Sequence, residues 1–264
     1  MLGSDMSAYR EAYEAFQAAF GKPVPLLALH DGRVKLPRGV KVVAAFGGKA
    51  ALASYPDRVT LVYGIAPGIL VGRDTHDGPT IKVSMVPEAS VMLSRMLRIQ
   101  PGLKRLAVLW ASDAMAPMVE ALEKAGAPLS VKIVSQRVDG ADDLPGRLRG
   151  LKGRMDAFWV APDPLMITAQ NFEVLRQYAD DNDIPFYAPT DALVAHGAAA
   201  AVWVGYPEIG RAAAAAAQSA LAGEVPRYAI HLADCKTSIN LTAAKADGLT
   251  VPPDAVRGAD KVYP

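Results

Sequence analysis

Four aspartates stand where an apolar run gives way to a helical pattern. They are Asp5 in SDMS, Asp113 in WASD, Asp163 in APDP and Asp191 in APTD. A carboxylate at such a place can act as a general acid, hold the ammonium or hydroxyls of a solute, or accept backbone N–H groups as a helix cap. Capping and ligand contact are equally open for Asp5, Asp113 and Asp163, so the set carries more weight than any one member. Around them stand small, hydroxyl-bearing and aromatic residues: Ser7 and Tyr9, Gly47 and Gly48, Ala66, Trp110 and Ser112, Thr190, and Gly205 and Tyr206. Helix-start amides can take an anionic end. Tyr9, Trp110 and Tyr206 can enclose an apolar or ring portion. Together the set suits a small organic solute.

Signatures of common catalysis are missing. AFGGKAALAS holds neither G-x-G-x-x-G nor G-x-x-x-x-G-K-[ST], and no G-x-S-x-G occurs. His30, His76, His196 and His231 are scattered, with no metal-ligand spacing, and read as surface or packing residues. Asp139, Asp142 and Asp143 lack the EF-hand pattern and read as a solvated loop. The single cysteine, Cys235, can form neither an internal disulfide nor a metal quartet, and reads as a small buried residue. No catalytic residue, metal or cofactor is therefore expected. A net charge of +1 with no Lys/Arg run argues against a nucleic-acid partner. No apolar segment reaches the roughly 18 residues of a membrane span.

The elements that must position these residues alternate. Strand-like runs occupy residues 26–29, 40–46, 59–63, 106–110, 130–134, 157–161 and 200–204, with another starting at Ile184. Amphipathic helical stretches occupy 7–20, 49–54, 87–98, 116–125, 165–181 and 208–222. Near-continuous apolar strands separated by helices predict parallel sheets covered on both faces. With 264 residues and 51% hydrophobic content, the chain can build two such lobes. Pro101-Gly102 marks the boundary between them. The expected division is 1–101 for the N-terminal α/β lobe and 102–206 for the C-terminal one, with 207–264 shared. Ligands of doubly wound sheets bind beyond the carboxyl ends of the strands, where the polar and aromatic set lies. The alanine-rich EIGRAAAAAAQSALAG reads as a helix lying close to its neighbours, without ligand contact.

The C-terminal SINLTAAKADGLTVPPDAV resembles the ending of solute-binding proteins of ABC transporters, in the tryptophan/tyrosine-type branch. SDMSAYREAYEAF, FGGKAALAS, PGLKRLAVLW, MDAFWVAPDP and IPFYAPTDALVAHGAAAAVWVGYPEIGR resemble segments of the same family in the same order. Residues 64–86 resemble it poorly. The resemblance implies a type I periplasmic-binding fold: two doubly wound parallel-sheet lobes joined by a hinge, with solute taken in the cleft. It implies delivery to a membrane permease, no chemistry, and a periplasmic or lipid-anchored extracytoplasmic location. It also implies a leader and most of a first strand ahead of the sequence given.

Carried onto this chain, the ligand set becomes Asp5, Ser7, Tyr9, Gly47, Gly48, Ala66, Trp110, Ser112, Asp163, Thr190, Asp191, Gly205 and Tyr206. Three positions depart from the family pattern. Gly48 replaces a hydroxyl, Pro162-Asp163-Pro164 replaces Thr-Asp-Asn, and Gly205 replaces an aspartate. A zwitterionic amino acid needs partners for both charges, because an unpaired buried charge costs several kcal/mol. The departures therefore weaken the expectation of an amino acid, which stays open beside a more apolar or aromatic solute. Two other functions are compatible with the same fold. One is a ligand-sensing module of a signalling system. The other is a cleft enzyme such as a transferase, which no visible nucleophile–base pair supports.

Overall fold

Residues 7–20 place apolar side chains at helical spacing, and the computed structural model forms α1 over Ser7–Phe20, burying Ala8, Ala12 and Phe16. It describes residues 7–27, 29, 34–72, 74–224 and 229–264. There follow β1 (Val42–Phe46), α2 (Gly48–Ala51), β2 (Thr60–Gly64), β3 (Thr80–Val83), α3 (Ala89–Ile99) and β4 (Arg105–Trp110). Next come α4 (Ala116–Gly126), β5 (Lys132–Arg137), α5 (Leu144–Leu151), β6 (Ala157–Val160), α6 (Ala169–Asn182) and β7 (Phe186–Ala188). The chain continues with α7 (Asp191–Ala195), β8 (Ala200–Trp203), α8 (Tyr206–Leu221), β9 (Lys236–Asn240), α9 (Leu241–Ala246), α10 (Pro253–Arg257) and β10 (Lys261–Tyr263).

The chain divides into two units, Met1–Met85 with Val204–Leu232, and Val86–Trp203 with Ala233–Pro264. The first break thus falls after Met85, whereas the sequence placed it after residue 101. The reason is α3: its Met92, Leu93, Met96 and Ile99 join the core of the second unit. Gly205 and Tyr206, expected in the C-terminal lobe, belong to the first unit. The remainder of the 207–264 segment is divided between the two.

In the first unit β1, β2 and β3 pair in parallel in that order. Every residue of β2 is buried. Leu61 and Tyr63 face one cluster with Val43 and Ala45. Val62 faces another with Phe16, Phe46 and the small side chains of α8. No strand forms at residues 26, 27 or 29, and residue 28 lies outside the described residues.

Gly210 of α8 lies against α1 so closely that a Cβ there would stand 2.1 Å from the Ala12 carbonyl oxygen. Backbone cannot yield as a flexible side chain can. Gly210→Ala is therefore expected to destabilise the first unit by about 2 kcal/mol through overpacking, despite alanine's better helix propensity. Urea unfolding followed by far-ultraviolet circular dichroism measures this.

The second unit holds a seven-stranded sheet in the order β10-β9-β8-β7-β6-β4-β5, parallel except for the β8–β9 pair. β6 shows how apolar sequence becomes a two-faced strand. Ala157 and Trp159 enter one core, while Phe158 and Val160 enter the other. Cys235 is buried in the first of these cores, and burial is the main cause that pushes its thiol pKa up. His76 packs in the first unit with Nε2 2.9 Å from the Val59 carbonyl oxygen.

Candidate functional site

Each unit presents a cluster at the carboxyl ends of its parallel strands. In the first unit β1 ends in Phe46-Gly47-Gly48. Gly47 has φ 101°, in the left-handed region, and its amide donates to the Gly64 carbonyl at 2.9 Å. The Tyr9 ring covers it: a Cβ on Gly47 would stand 2.8 Å from Tyr9 Cζ. Gly47 thus supplies both the turn and room for the ring. Ser7 is exposed at the start of α1. Gly48 opens α2 and faces the Ile69 side chain.

At the end of β2, Ile65 takes φ 52°, an uncommon conformation for a β-branched residue. Ala66 behind it is buried. Gly205 precedes α8 and Tyr206 begins it. A Cβ on Gly64 would stand 2.8 Å from Ile209 Cγ2, so the first turn of α8 lies against the end of β2. Asp5 and His30 lie outside the described residues.

In the second unit Trp110 ends β4. Its indole N–H donates to Ser135 Oγ at 2.9 Å, and the Arg137 guanidinium stands 5.3 Å from the ring centroid. Ser112 and Asp163 are brought together. One Asp163 oxygen accepts the Ser112 amide at 2.8 Å and the other accepts the Leu165 amide at 3.0 Å. Asp163 is 1% exposed. It does not cap the helix that follows. That helix, α6, begins at Ala169, four residues later than the sequence predicts, and Thr168 caps it by accepting the Asn171 amide. The Asp163 carboxylate is committed to a tight turn at residues 163–167, so the next free hydroxyl takes the cap. Asp113 is not a cap either: it lies inside a short 3-10 turn, Asp113–Met115, and pairs with Arg137 at 2.9 Å.

Asp191 is committed as well. It accepts Ser238 Oγ at 2.7 Å and Tyr263 Oη at 3.0 Å through one oxygen, and Lys261 Nζ at 2.6 Å through the other. Burial works against its charge, but these three donors outweigh burial and hold the carboxyl below its usual range. Ser238 in turn accepts the Trp203 indole N–H at 2.9 Å, and Lys236 and Lys261 stand over the Trp203 ring. Thr190 precedes α7 without a side-chain capping bond. Sequence reasoning did not reach Ser135, Arg137, Trp203, Ser238, Lys261 or Tyr263. Their signal is three-dimensional, since Asp191 meets partners 47, 70 and 72 residues away.

A cavity of about 240 Å³ lies elsewhere in the first unit, lined by Phe16, Phe20, Val42, Ala44, Phe46 and Leu221 among others. None of the expected solute residues lines it. Among the described residues no group of His, Cys, Asp and Glu is placed to hold a metal ion, and no helix is long and apolar enough to cross a membrane.

Residues 82–263 match the family described as ABC transporter substrate binding protein. The chain belongs to this family. The substrate-binding protein also shares its fold with solved structures. One, from Streptococcus pneumonia, is an ABC domain in complex with L-Trp. It is 18% identical with a TM-score of 0.67, and the match covers 99% of this chain and 97% of that one. A conserved domain protein from Vibrio cholerae is 17% identical with a TM-score of 0.62, covering 97% and 84%. The ligand-free, open structure of a substrate binding protein with adhesive properties from Clostridium difficile is 18% identical, with a TM-score of 0.57 and the same coverage. No curated protein matches the sequence. These likenesses establish the type I periplasmic-binding fold for the substrate-binding protein, and the family places its members outside the cytoplasm.

Proposed function

We propose that this protein captures a small organic solute with strand-end loops and presents it, chemically unchanged, to a membrane ABC permease. The observation that carries the reading is the family match over residues 82–263, which takes in the Trp110, Ser112, Asp163, Thr190, Asp191, Gly205 and Tyr206 positions. In the first unit Ser7, Tyr9, Gly47, Gly48 and Ala66 supply the corresponding loops, with Asp5 beside them in sequence. The solute's body is apolar or aromatic. Tyr9 and Trp110 offer rings, and the proline- and glycine-rich turns offer few side-chain donors. The solved structure described with L-Trp supports a ring-bearing solute. The protein is lipid-anchored or free outside the cytoplasm.

A thermal-shift screen across amino acids, aromatic acids and nucleosides tests this. A ligand at 100 times its Kd stabilises the folded form by about 2.7 kcal/mol, which raises Tm by several degrees. Absence of any response across the screen would overturn the reading.

A further inference from the structure

The charges of the two strand-end clusters differ, and each bears on the class of solute. In the second unit the carboxylates that could meet an ammonium are already engaged. Asp163 is 1% exposed with an amide on each oxygen. Asp191 holds Ser238, Tyr263 and Lys261. A solute ammonium would have to share carboxylates that already hold the buried Ser112 and Leu165 amides and the Ser238 hydroxyl, so its gain there is reduced.

In the first unit Glu208, in the first turn of α8, is paired with Arg211 at 2.9 Å, and a lysine stands apart from any such ion pair. Lys82 lies on β3 level with Tyr63 of β2, one residue before the strand ends. It is half-buried, and its ammonium donates to the Ile69 carbonyl at 3.0 Å. Among the described residues no carboxylate comes within ion-pair distance of it. Ile69 belongs to the loop after β2, and its Cγ1 would stand 3.5 Å from a Cβ on Gly48. Lys82 therefore brings an uncompensated positive charge to the loop that lies over the start of α2. Burial lowers its pKa, as it must for an ammonium without a counter-charge. An anionic group on a bound solute would offset that cost.

We propose that the solute is a carboxylate with an apolar body and no ammonium group, and that Lys82 is the residue that binds its carboxylate. This rests on the solute-binding reading above and narrows it. The alternative for Lys82 is a purely structural tie to the loop at Ile69.

The test is isothermal titration with matched probes. For each of several bodies (indolyl, phenyl, cyclohexyl, straight alkyl) the acid, the amine and the α-amino acid are compared. Acids are expected to bind at least tenfold more tightly than the amine and amino acid of the same body. Lys82→Met should weaken the acid at least tenfold while the free protein keeps or gains thermal stability, and Lys82→Arg should retain most of the affinity. Preferential binding of amines or amino acids would overturn the proposal and leave the solute-binding function standing. So would undiminished acid binding by Lys82→Met, which would reduce Lys82 to the structural tie. Silence across these probes and the wider screen would overturn both.

Discussion

Asp163→Ala is expected to lower the stability of the second unit by about 3 kcal/mol. The carboxylate accepts the Ser112 amide at 2.8 Å and the Leu165 amide at 3.0 Å, and the residue is 1% exposed. Hydrogen bonds to a charged acceptor contribute about 1.5–3 kcal/mol each, and a buried donor left unpaired costs a similar amount. Alanine removes both acceptors at once. It leaves the backbone bonds from the Met166 and Ile167 amides to the Asp163 carbonyl intact, so the loss does not extend to the whole turn. Asp163→Asn should cost roughly half as much, because one amide oxygen still accepts while its NH2 faces a donor.

Trp110, Trp159 and Trp203 are the only tryptophans in the sequence, and all lie in the second unit. Tryptophan fluorescence during urea unfolding therefore reads that unit alone. A loss below about 1 kcal/mol for the alanine variant would mean that water replaces the carboxylate cheaply. The acid would then be kept for something other than the turn. The two flanking prolines fit the structural role. Neither has an N–H, so the Asp163 and Leu165 amides are the donors left in the stretch from Pro162 to Leu165. The first bonds the Ala161 carbonyl and the second the carboxylate. In a chain that belongs to a solute-binding family, APDP is thus a clamp between the loops after β4 and β6, which sets where Ser112 stands.

Much of the fold was legible because buried parallel strands leave so plain a mark. The bounds expected for α1 coincide with Ser7–Phe20, and the expected 106–110, 116–125 and 157–161 fall within a residue of β4, α4 and β6. The elements left unread are those whose burial does not show as apolar sequence. β9 reads KTSIN, yet Thr237, Ser238 and Asn240 are buried. Several of its polar groups meet partners across the fold: the Thr237 amide donates to Asp260, and Asn240 donates to the Val194 carbonyl and caps α9. α5 carries Pro145 and Gly146 in its first turn, which weakens its helical signature. The site divides along the same line. Position at a strand end follows from alternation, so the right loops could be named. What a carboxylate does there depends on donors that the chain brings back from far away, and spacing cannot show them. Lys82 passed unnoticed for the converse reason: a lysine in TIKV reads as the solvent face of an edge strand, and the loop over it is visible only in three dimensions.

Asp247→Asn is expected to stabilise the second unit, and to do so only toward neutral and alkaline pH. Asp247 is 1% exposed, at the C-terminal end of α9. Burial is the main cause that pushes its pKa up to about 7. The nearby Asp180 carboxylate adds to the rise, while the Phe186 amide at 3.1 Å and the Arg176 guanidinium oppose it. In the unfolded chain the same group titrates near 3.9. Between about pH 4 and pH 7 the native state therefore holds a proton that the unfolded state has lost. Stability from this group is fully present below about pH 4, falls as pH rises, and is flat above about pH 7. A shift of this size corresponds to about 2–4 kcal/mol. Asparagine keeps an acceptor for Phe186 and a donor for Asp180, and it has no charge to bury. The variant should match the wild type near pH 4 and exceed it by up to that amount at pH 8, with α6, β7 and α9 all held more firmly. Urea midpoints by tryptophan fluorescence at pH 4, 5, 6, 7 and 8 measure the difference directly. A difference that does not vary with pH would show that Asp247 is ionised in the native state throughout, with Arg176 outweighing burial.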